Sequence, residues 1–375
     1  MKTPLLTHSL SSVSSDFSVF QHVKDSHLRP GHRSSTDSND NPTIPHLSSS
    51  SRNEALVQFL AAPINRVDLM VLNSKYPVRP KHHLDSRPVP GFDGCGVVLE
   101  STSPDLSKGD MVIPRDLGLG TWRTHAVLPA ASLIGVPAAT PPLAGALLRS
   151  GVLIAWLLLH RVRVLQEGDA VIVSAGTSTV AWFLVQLARL MRVSVFLVVR
   201  DRGPDELRNV RDSLLELGAA AVISESELRE SLAREAPVPT CLPVRPILAL
   251  DSVFGPVGQL LVETLAPGGT FVLVGLLGGP GPNIQIDSTH LFDRRLSFLP
   301  FRGSEVIKSI GHSKVEELLN DLATMFLVGR LKTPKNTIVS WSDTDDQDLD
   351  QILTLAIESA ASDSIGYRKT IFEMS

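Results

Sequence analysis

The stretch Ser174-Ala-Gly-Thr-Ser-Thr-Val-Ala181 gathers small and hydroxyl-bearing residues directly after an apolar run, Ala170-Val-Ile-Val173, and directly before a helical pattern. A turn of that composition can take phosphate. Small residues let a ligand approach the backbone, Thr177, Ser178, Thr179 and Val180 supply amides and hydroxyls, and the positive end of the following helix favours an anion. It is not the G-x-G-x-x-G fingerprint, and an ordinary Ser/Thr helix cap has the same make-up, so the turn alone leaves both readings open. The next apolar run, Val193 to Val199, ends in Arg200-Asp201-Arg202. An NAD site places Asp or Glu there for the ribose 2′-hydroxyl, whereas guanidinium forks suit a 2′-phosphate through charge-assisted, bidentate bonds. Taken alone, Arg-Asp-Arg is a solvated charged loop; behind a strand, a phosphate turn and a helix it points to NADPH. Metal chemistry is not expected. The two cysteines, Cys95 and Cys241, stand apart, with no C-x-x-C and no H-x-x-x-H to build a zinc site.

The elements that must position these residues follow from the rest of the chain. Its 375 residues suit about two domains. The 43% hydrophobic content excludes a fully disordered chain, and a net charge of -4 offers no basic field for nucleic acid. Residues 1–53 are rich in Ser, His, Asn and Pro and read as a disordered leader. They match a mitochondrial transit peptide only in part, because Asp16, Asp25, Asp37 and Asp40 interrupt them. From Ala55 to about Ala139, short apolar runs separated by Pro and Gly predict a β-rich domain. From Ala170, strands alternate with helices over about 179–191, 205–217 and 257–265, which implies a doubly wound parallel sheet. The stretch from Lys335 returns to short strands and one helix, 348–361, and is expected to rejoin the first domain. The apolar segment Val152–Leu159, bounded by Arg149 and His160, reads as a buried helix far short of the ~20 residues of a membrane span.

Several segments together resemble the zinc-free medium-chain dehydrogenase/reductases, and most of all the mitochondrial trans-2-enoyl thioester reductases of fatty acid synthesis. They are Leu60-Ala-Ala-Pro-Ile-Asn-Arg-Val-Asp68, Lys108-Gly-Asp-Met-Val-Ile-Pro114, Gly118-Leu-Gly-Thr-Trp-Arg123, Gly168-Asp-Ala-Val-Ile172 and Val198-Val-Arg-Asp-Arg202. The resemblance implies a GroES-like catalytic domain over 54–149, completed by 310–375, and a Rossmann NADPH-binding domain over 150–309, with the active cleft between them. It implies NADPH-dependent reduction of trans-2-enoyl thioesters of CoA or acyl carrier protein. The family's proton-donating tyrosine sits in a Tyr-Pro context after the Pro-Ile-Asn-x-x-Asp segment, which makes Tyr76, before Pro77, the counterpart. Asn65 would hold that region or the carboxamide side of the cofactor, and Lys369 matches a lysine used near NADPH. Trp122 reads either as a cleft wall or as a buried anchor. The family further implies mitochondrial location, with a cytoplasmic one if the leader is not a transit peptide, and a homodimer formed through sheet edges, for which Thr270–Val274 is apolar enough.

The chain also departs from the family pattern. Gly151-Val-Leu-Ile-Ala-Trp156 replaces Asn-Pro-x-Thr-Ala-Tyr, Ala181 stands for a glycine, and Val274-Gly-Leu-Leu277 keeps one glycine, Gly275, of a Gly-Gly pair expected at the cofactor. A Phe-Trp segment is replaced around Leu299-Pro-Phe-Arg302. The rival readings are a quinone or enone reductase, a polyketide-pathway enoyl reductase on the same scaffold, and a non-catalytic nucleotide-binding relative.

Overall fold

The computed structural model describes residues 47–48, 52–73, 75–76, 78–84, 87–234, 236–279, 283–341, 346–361 and 368–374; nearly all of the expected leader lies outside them. The chain folds as two compact units, Met1–Arg149 with Leu319–Ser375, and Ser150–Leu318.

The first unit is built on β1 (Glu54–Pro63), a ten-residue strand. After it come helix α1 (Arg66–Leu72), the short hairpin β2 (His83–Leu84) and β3 (Arg87–Pro88), then β4 (Cys95–Ser101), β5 (Met111–Pro114), β6 (His125–Pro129) and β7 (Leu133–Val136). β1 pairs antiparallel with β4 along one edge and with β6 along the first half of the other. Its second half is left open to a later strand. Strand burial here does not alternate cleanly, because both faces of β1 are covered along most of its length.

The chain then enters one helical run of 20 residues, Pro142–Arg161. It consists of α2 (Pro142–Leu147), a π turn (Leu148–Leu153) and α3 (Ile154–Arg161). The run is much longer than the segment Val152–Leu159 expected from sequence, and it is long and apolar enough to cross a membrane. Its most apolar window is 72% buried inside the protein, so here it serves as a core helix.

The second unit continues with β8 (Ala170–Val173), α4 (Thr179–Leu190), β9 (Ser194–Val199), α5 (Pro204–Leu217), β10 (Ala221–Ser224), α6 (Glu225–Leu232), β11 (Leu248–Asp251), α7 (Pro256–Thr264), β12 (Thr270–Leu273) and β13 (Ser297–Pro300). Helices α8 (Gly303–Ile310) and α9 (His312–Leu327) follow. All six strands run parallel in the order β10-β9-β8-β11-β12-β13. The order reverses between β8 and β11, which puts a crevice beyond the carboxyl ends of those strands. Ile172, Phe196, Val198, Leu261 and Phe271 form the core of this unit. Two expectations change. β12 lies inside the sheet between β11 and β13, so Thr270–Val274 cannot be a pairing edge; the edge on that side is β13, within the divergent segment, and β10 is the other. The return to the first unit falls between Leu318 and Leu319, inside α9, where the resemblance implied 309/310.

Back in the first unit, α10 (Asp346–Ala361) lies between β14 (Asn336–Trp341) and β15 (Lys369–Met374). β15 completes the free half of β1 in antiparallel register, Ala61 opposite Glu373 and Pro63 opposite Ile371, and β14 runs parallel beside β15. Phe372 is fully buried and meets Trp122 at 5.2 Å and Trp341 at 5.4 Å, both edge-on, the geometry aromatic quadrupoles favour. Because this cluster ties the C-terminal strand to the middle of the first unit, Phe372→Ala should cost about 3–5 kcal/mol in urea unfolding. A loss well under 1 kcal/mol would contradict that role for the aromatic cluster.

Candidate active site

The first group of candidate residues lies where β1 ends. Asn65 has extended backbone and caps α1, forming a capping box with Asp68: the Asn65 amide N–H donates to Asp68 Oδ2 at 2.8 Å. The other Asp68 oxygen accepts from the Phe92 amide at 3.0 Å. The Asn65 side chain is held at both ends. Lys369 Nζ donates to its Oδ1 at 2.6 Å, and its Nδ2 donates to Asp93 Oδ2 at 2.7 Å. Because an ammonium only donates and a carboxylate only accepts, the two partners together fix which way the amide faces. Lys369 also donates to the Ile64 carbonyl at 2.7 Å.

Burial shapes the charges of this cluster. It pushes the Asp68 carboxyl up, against the Asn65 amide bond, and the nearby Asp93 adds to the rise. It pulls the Lys369 ammonium down, against the attraction of Asp68 and Asp93. Asp93 and Asp68 went unnoticed in the sequence as charged partners of Asn65. The signal was the Asn65-x-x-Asp68 spacing, a helix-start pattern, and the tight Gly91-Phe-Asp-Gly94 turn. Gly91 has a φ of +96°, and a Cβ there would collide with Thr121 and Trp122, so only glycine turns the chain to bring Asp93 inward.

Tyr76 follows α1 in a half-buried bend, its ring centroid 6.3 Å from that of Phe92, the residue that binds Asp68. The structure therefore groups Tyr76, Asn65 and Lys369 in one region of the first unit. Pro77, and Tyr367, the chain's other tyrosine, lie outside the described residues. Trp122 is the buried anchor, not a cleft wall: it is 0% exposed, and its indole N–H donates to the Pro63 carbonyl at 3.3 Å.

The second group lies at the carboxyl ends of the parallel strands in the other unit. Ser178 is the N-cap of α4, its hydroxyl accepting from the Ala181 amide at 3.2 Å. That bond leaves the amides of Thr179 and Val180 in the first turn without intrahelical acceptors, the pattern of an anion-binding helix start. Ala175, just ahead, has a φ of +49°, a left-handed conformation that a non-glycine residue adopts at a cost. Ser174 at the end of β8 donates to the buried Asp251 at the end of β11 at 2.6 Å, and Asp251 also accepts from the amides of Val253 and Phe254. That carboxylate organises the loop leading to α7, and sequence reading had passed it over. Gly275 follows β12, its amide bonded to the Asp251 carbonyl at 3.2 Å.

At the end of β9 the three charged residues separate in role. Arg200 is exposed and, among the described residues, its side chain makes no hydrogen bond or ion pair. Asp201 binds the Ser226 hydroxyl at 2.7 Å and the Ser226 amide at 3.1 Å, which ties it to the start of α6. Arg202 is drawn back, its Nε 3.0 Å from Glu206 and its Nη1 on the Arg200 carbonyl. The position of Gly151 is also explained by packing. A Cβ there would lie 3.1 Å from both Phe183 and Thr179, so the side chain missing from the family pattern would require these neighbours to shift by a few tenths of an ångström.

A GroES-like unit joined to a six-stranded doubly wound unit is the architecture of the medium-chain dehydrogenase/reductases. A model of the alcohol dehydrogenase GroES-like domain matches residues 51–138. The chain is 35% identical over 284 residues to the mitochondrial enoyl-[acyl-carrier-protein] reductase of Mus musculus, spanning 74% of this chain and 72% of that protein. Among solved structures it is similar to a mutant form of enoyl thioester reductase from Candida tropicalis, with a TM-score of 0.73 and 24% identity over 88% of this chain and 93% of that one. The complex of Etr1p with NADP and crotonyl-CoA is similar to it as well, with a TM-score of 0.73 and 23% identity over 88% of this chain and 93% of that one. The chain belongs to the mitochondrial enoyl-[acyl-carrier-protein] reductase family.

Restoring a family-like amide by Gly151→Asn should therefore lower stability, by about 1–3 kcal/mol, because Phe183 and Thr179 must move. Thermal unfolding checks this, and an unchanged or raised midpoint would show that the site has room after all.

Proposed function

We propose that the protein reduces trans-2-enoyl thioesters, carried on CoA or acyl carrier protein, to saturated acyl thioesters at the expense of NADPH. The observation that carries the reading is family membership across both units, with a phenol retained at Tyr76 and a guanidinium retained at the end of β9. The residues present fit the cofactor. The open amides of Thr179 and Val180, with Thr177 and Ser178 beside them, suit the pyrophosphate, and Gly275 leaves the chain low at the neighbouring strand end. Arg200 is the guanidinium available for the 2′-phosphate; Arg202 would first have to leave Glu206. NADPH supplies a hydride for the β-carbon of the substrate.

The remaining chemistry belongs to the first unit. Addition at the β-carbon moves the double-bond pair onto the α-carbon and thioester oxygen, and a proton must then reach the α-carbon. Tyr76 is the donor in this reading, its phenol delivering the proton directly or through water and recovering one from solvent afterwards. Asn65, with its amide fixed by Lys369 and Asp93, is a positioning residue beside it. Lys369 acts through Asn65, since two of its ammonium bonds go to Asn65 and Ile64. That its relatives are named as mitochondrial supports a mitochondrial location, and a homodimer built by sheet continuation would use β13, where Ser297 and Leu299 are exposed.

Tyr76→Phe is expected to lower turnover of crotonyl-CoA by about 100-fold or more with NADPH affinity unchanged, since a positioned acid contributes on that scale. Parent-like turnover in the variant would remove Tyr76 from catalysis, and turnover of quinones with none of enoyl thioesters would favour the quinone reductase reading. For the cofactor, Arg200→Ala should raise the KM for NADPH about 10- to 100-fold while leaving NADH little changed, the value of a charge-assisted bond, and Arg202→Ala should do less. Equal effects on both cofactors would defeat the 2′-phosphate assignment.

A further inference from the structure

The turn from β9 into α5 holds an ion pair of unequal partners. The Arg202 side chain is 6% exposed, whereas that of Glu206, four residues on, is 51% exposed. Among the described residues they meet through a single bond, Nε to Oε1 at 3.0 Å, while Nη1 of the same guanidinium donates to the Arg200 carbonyl at 3.1 Å. The other acids of the turn are engaged elsewhere: Asp205 pairs with Arg208 at 3.3 Å, and Asp201 is bonded to Ser226. Arg200 is exposed, and among the described residues its side chain has no partner. Glu206 is therefore the acid that sets how many guanidinium groups the end of β9 can offer.

A guanidinium drawn out of water needs an acceptor, and one bond to a carboxylate still half in water is a weak match. A phosphate matches better, since its oxygens take the planar fork two at a time and carry more charge. Arg202 is already held by the Arg200 carbonyl, so it has less side-chain freedom to lose on binding an anion than the exposed Arg200. Glu206 can turn back into water, because only the guanidinium of the pair is buried. Its charge stays close by, however, and acts against an incoming anion. As a purely structural residue an acid also belongs here, in the first turn of α5, where the helix dipole favours it. The two roles make different predictions.

We infer that Glu206 is a specificity-determining residue of this chain, a built-in rival of the 2′-phosphate for Arg202 that holds down the preference for NADPH over NADH. This inference rests on the NADPH reading of the β9 end and is independent of which substrate receives the hydride. When the ribose carries a 2′-hydroxyl, nothing calls Arg202 away from Glu206, and the pair stays closed. When it carries a 2′-phosphate, Glu206 gives Arg202 up, and the free energy of opening the pair is subtracted from what the second guanidinium contributes. Arg200, having no partner to leave, binds without that deduction. Removing the Glu206 charge should therefore help only ligands that bear the 2′-phosphate.

The test is equilibrium binding to the full chain, with no substrate present: titration with NADPH and with NADH followed by nicotinamide fluorescence, and displacement of NADPH by adenosine 2′,5′-bisphosphate. Glu206→Gln keeps the length of the side chain and removes its charge. It should tighten NADPH and the bisphosphate about 3- to 10-fold and leave NADH within about twofold, the scale of an opened surface pair and a removed like charge. Arg202→Ala should weaken NADPH about twofold in the parent but about 10-fold or more in the Glu206→Gln background, a coupling that independent residues do not show. Unchanged affinities with a lowered unfolding midpoint would make Glu206 a helix-start residue only and overturn the inference. Weaker NADPH binding in Glu206→Gln would overturn it too, since the acid would then hold Arg202 in place for the phosphate. A parent protein that binds NADPH no better than NADH would defeat the 2′-phosphate reading and this inference with it, whereas a parent that prefers NADPH by the same margin as Glu206→Gln would defeat the rivalry alone.

Discussion

The end of β1 is where a half-buried ammonium has to be satisfied beside two buried carboxylates, and much of the first unit is arranged around that need. Asn65 and the Ile64 carbonyl replace part of the hydration of Lys369, with Asp68 and Asp93 supplying the opposite charge nearby. The chain meets the demand by bringing a strand from its far end back to β1, in a register that sets Thr370 against Ile64. Removing one member of such a buried set leaves the others uncompensated, which costs about 3–5 kcal/mol. The aromatic cluster of Trp122, Phe372 and Trp341 then keeps the strand in place by apolar contact. Asn65, the capping residue of α1, thereby acquires a fixed orientation, and α1 leads straight to Tyr76.

In the other unit the controlling feature is the parallel sheet and its point of reversal. Four strand ends carry the residues that matter: Ser174 after β8, Arg200 after β9, Asp251 on β11 and Gly275 after β12. The Ser174–Asp251 bond joins two of these ends across the reversal, so the phosphate turn and the loop before α7 are set by the same buried carboxylate. Ala175 in a left-handed conformation marks the place where the backbone accepts strain to shape the turn. The missing side chain at Gly151 belongs to the same economy of space, since Phe183 and Thr179 fill the volume.

Much of this arrangement was readable from residue order. The alternation of apolar runs and helical patterns after Ala170 gives the parallel sheet because strands buried on both faces lack polar interruptions, and the change of style before it marks the β-rich unit. Local patterns could not reveal pairing between distant segments. β13, the edge strand, has an exposed and weakly apolar pattern, so nothing in Ser297–Pro300 advertises a strand. The same holds for the site. Tyr76, Asn65 and Lys369 came from a family pattern, but Asp93 and Asp251 look like ordinary turn residues until long-range contacts bury them. Arg149 looked like the end of a hydrophobic stretch, yet it lies inside the helical run. Asp201 and Arg202 read as cofactor residues by position, yet their side chains are taken up by Ser226 and Glu206.

The central claim is that hydride reaches the β-carbon of an enoyl thioester and a proton reaches its α-carbon. Isotope transfer tests it most directly: crotonyl-CoA is incubated with the parent protein and NADPH deuterated at the transferable position, and separately with unlabelled NADPH in deuterium oxide. The account predicts butyryl-CoA carrying one deuterium at the β-carbon in the first case and one at the α-carbon in the second. No saturated product, or a product lacking the cofactor's deuterium, would contradict it.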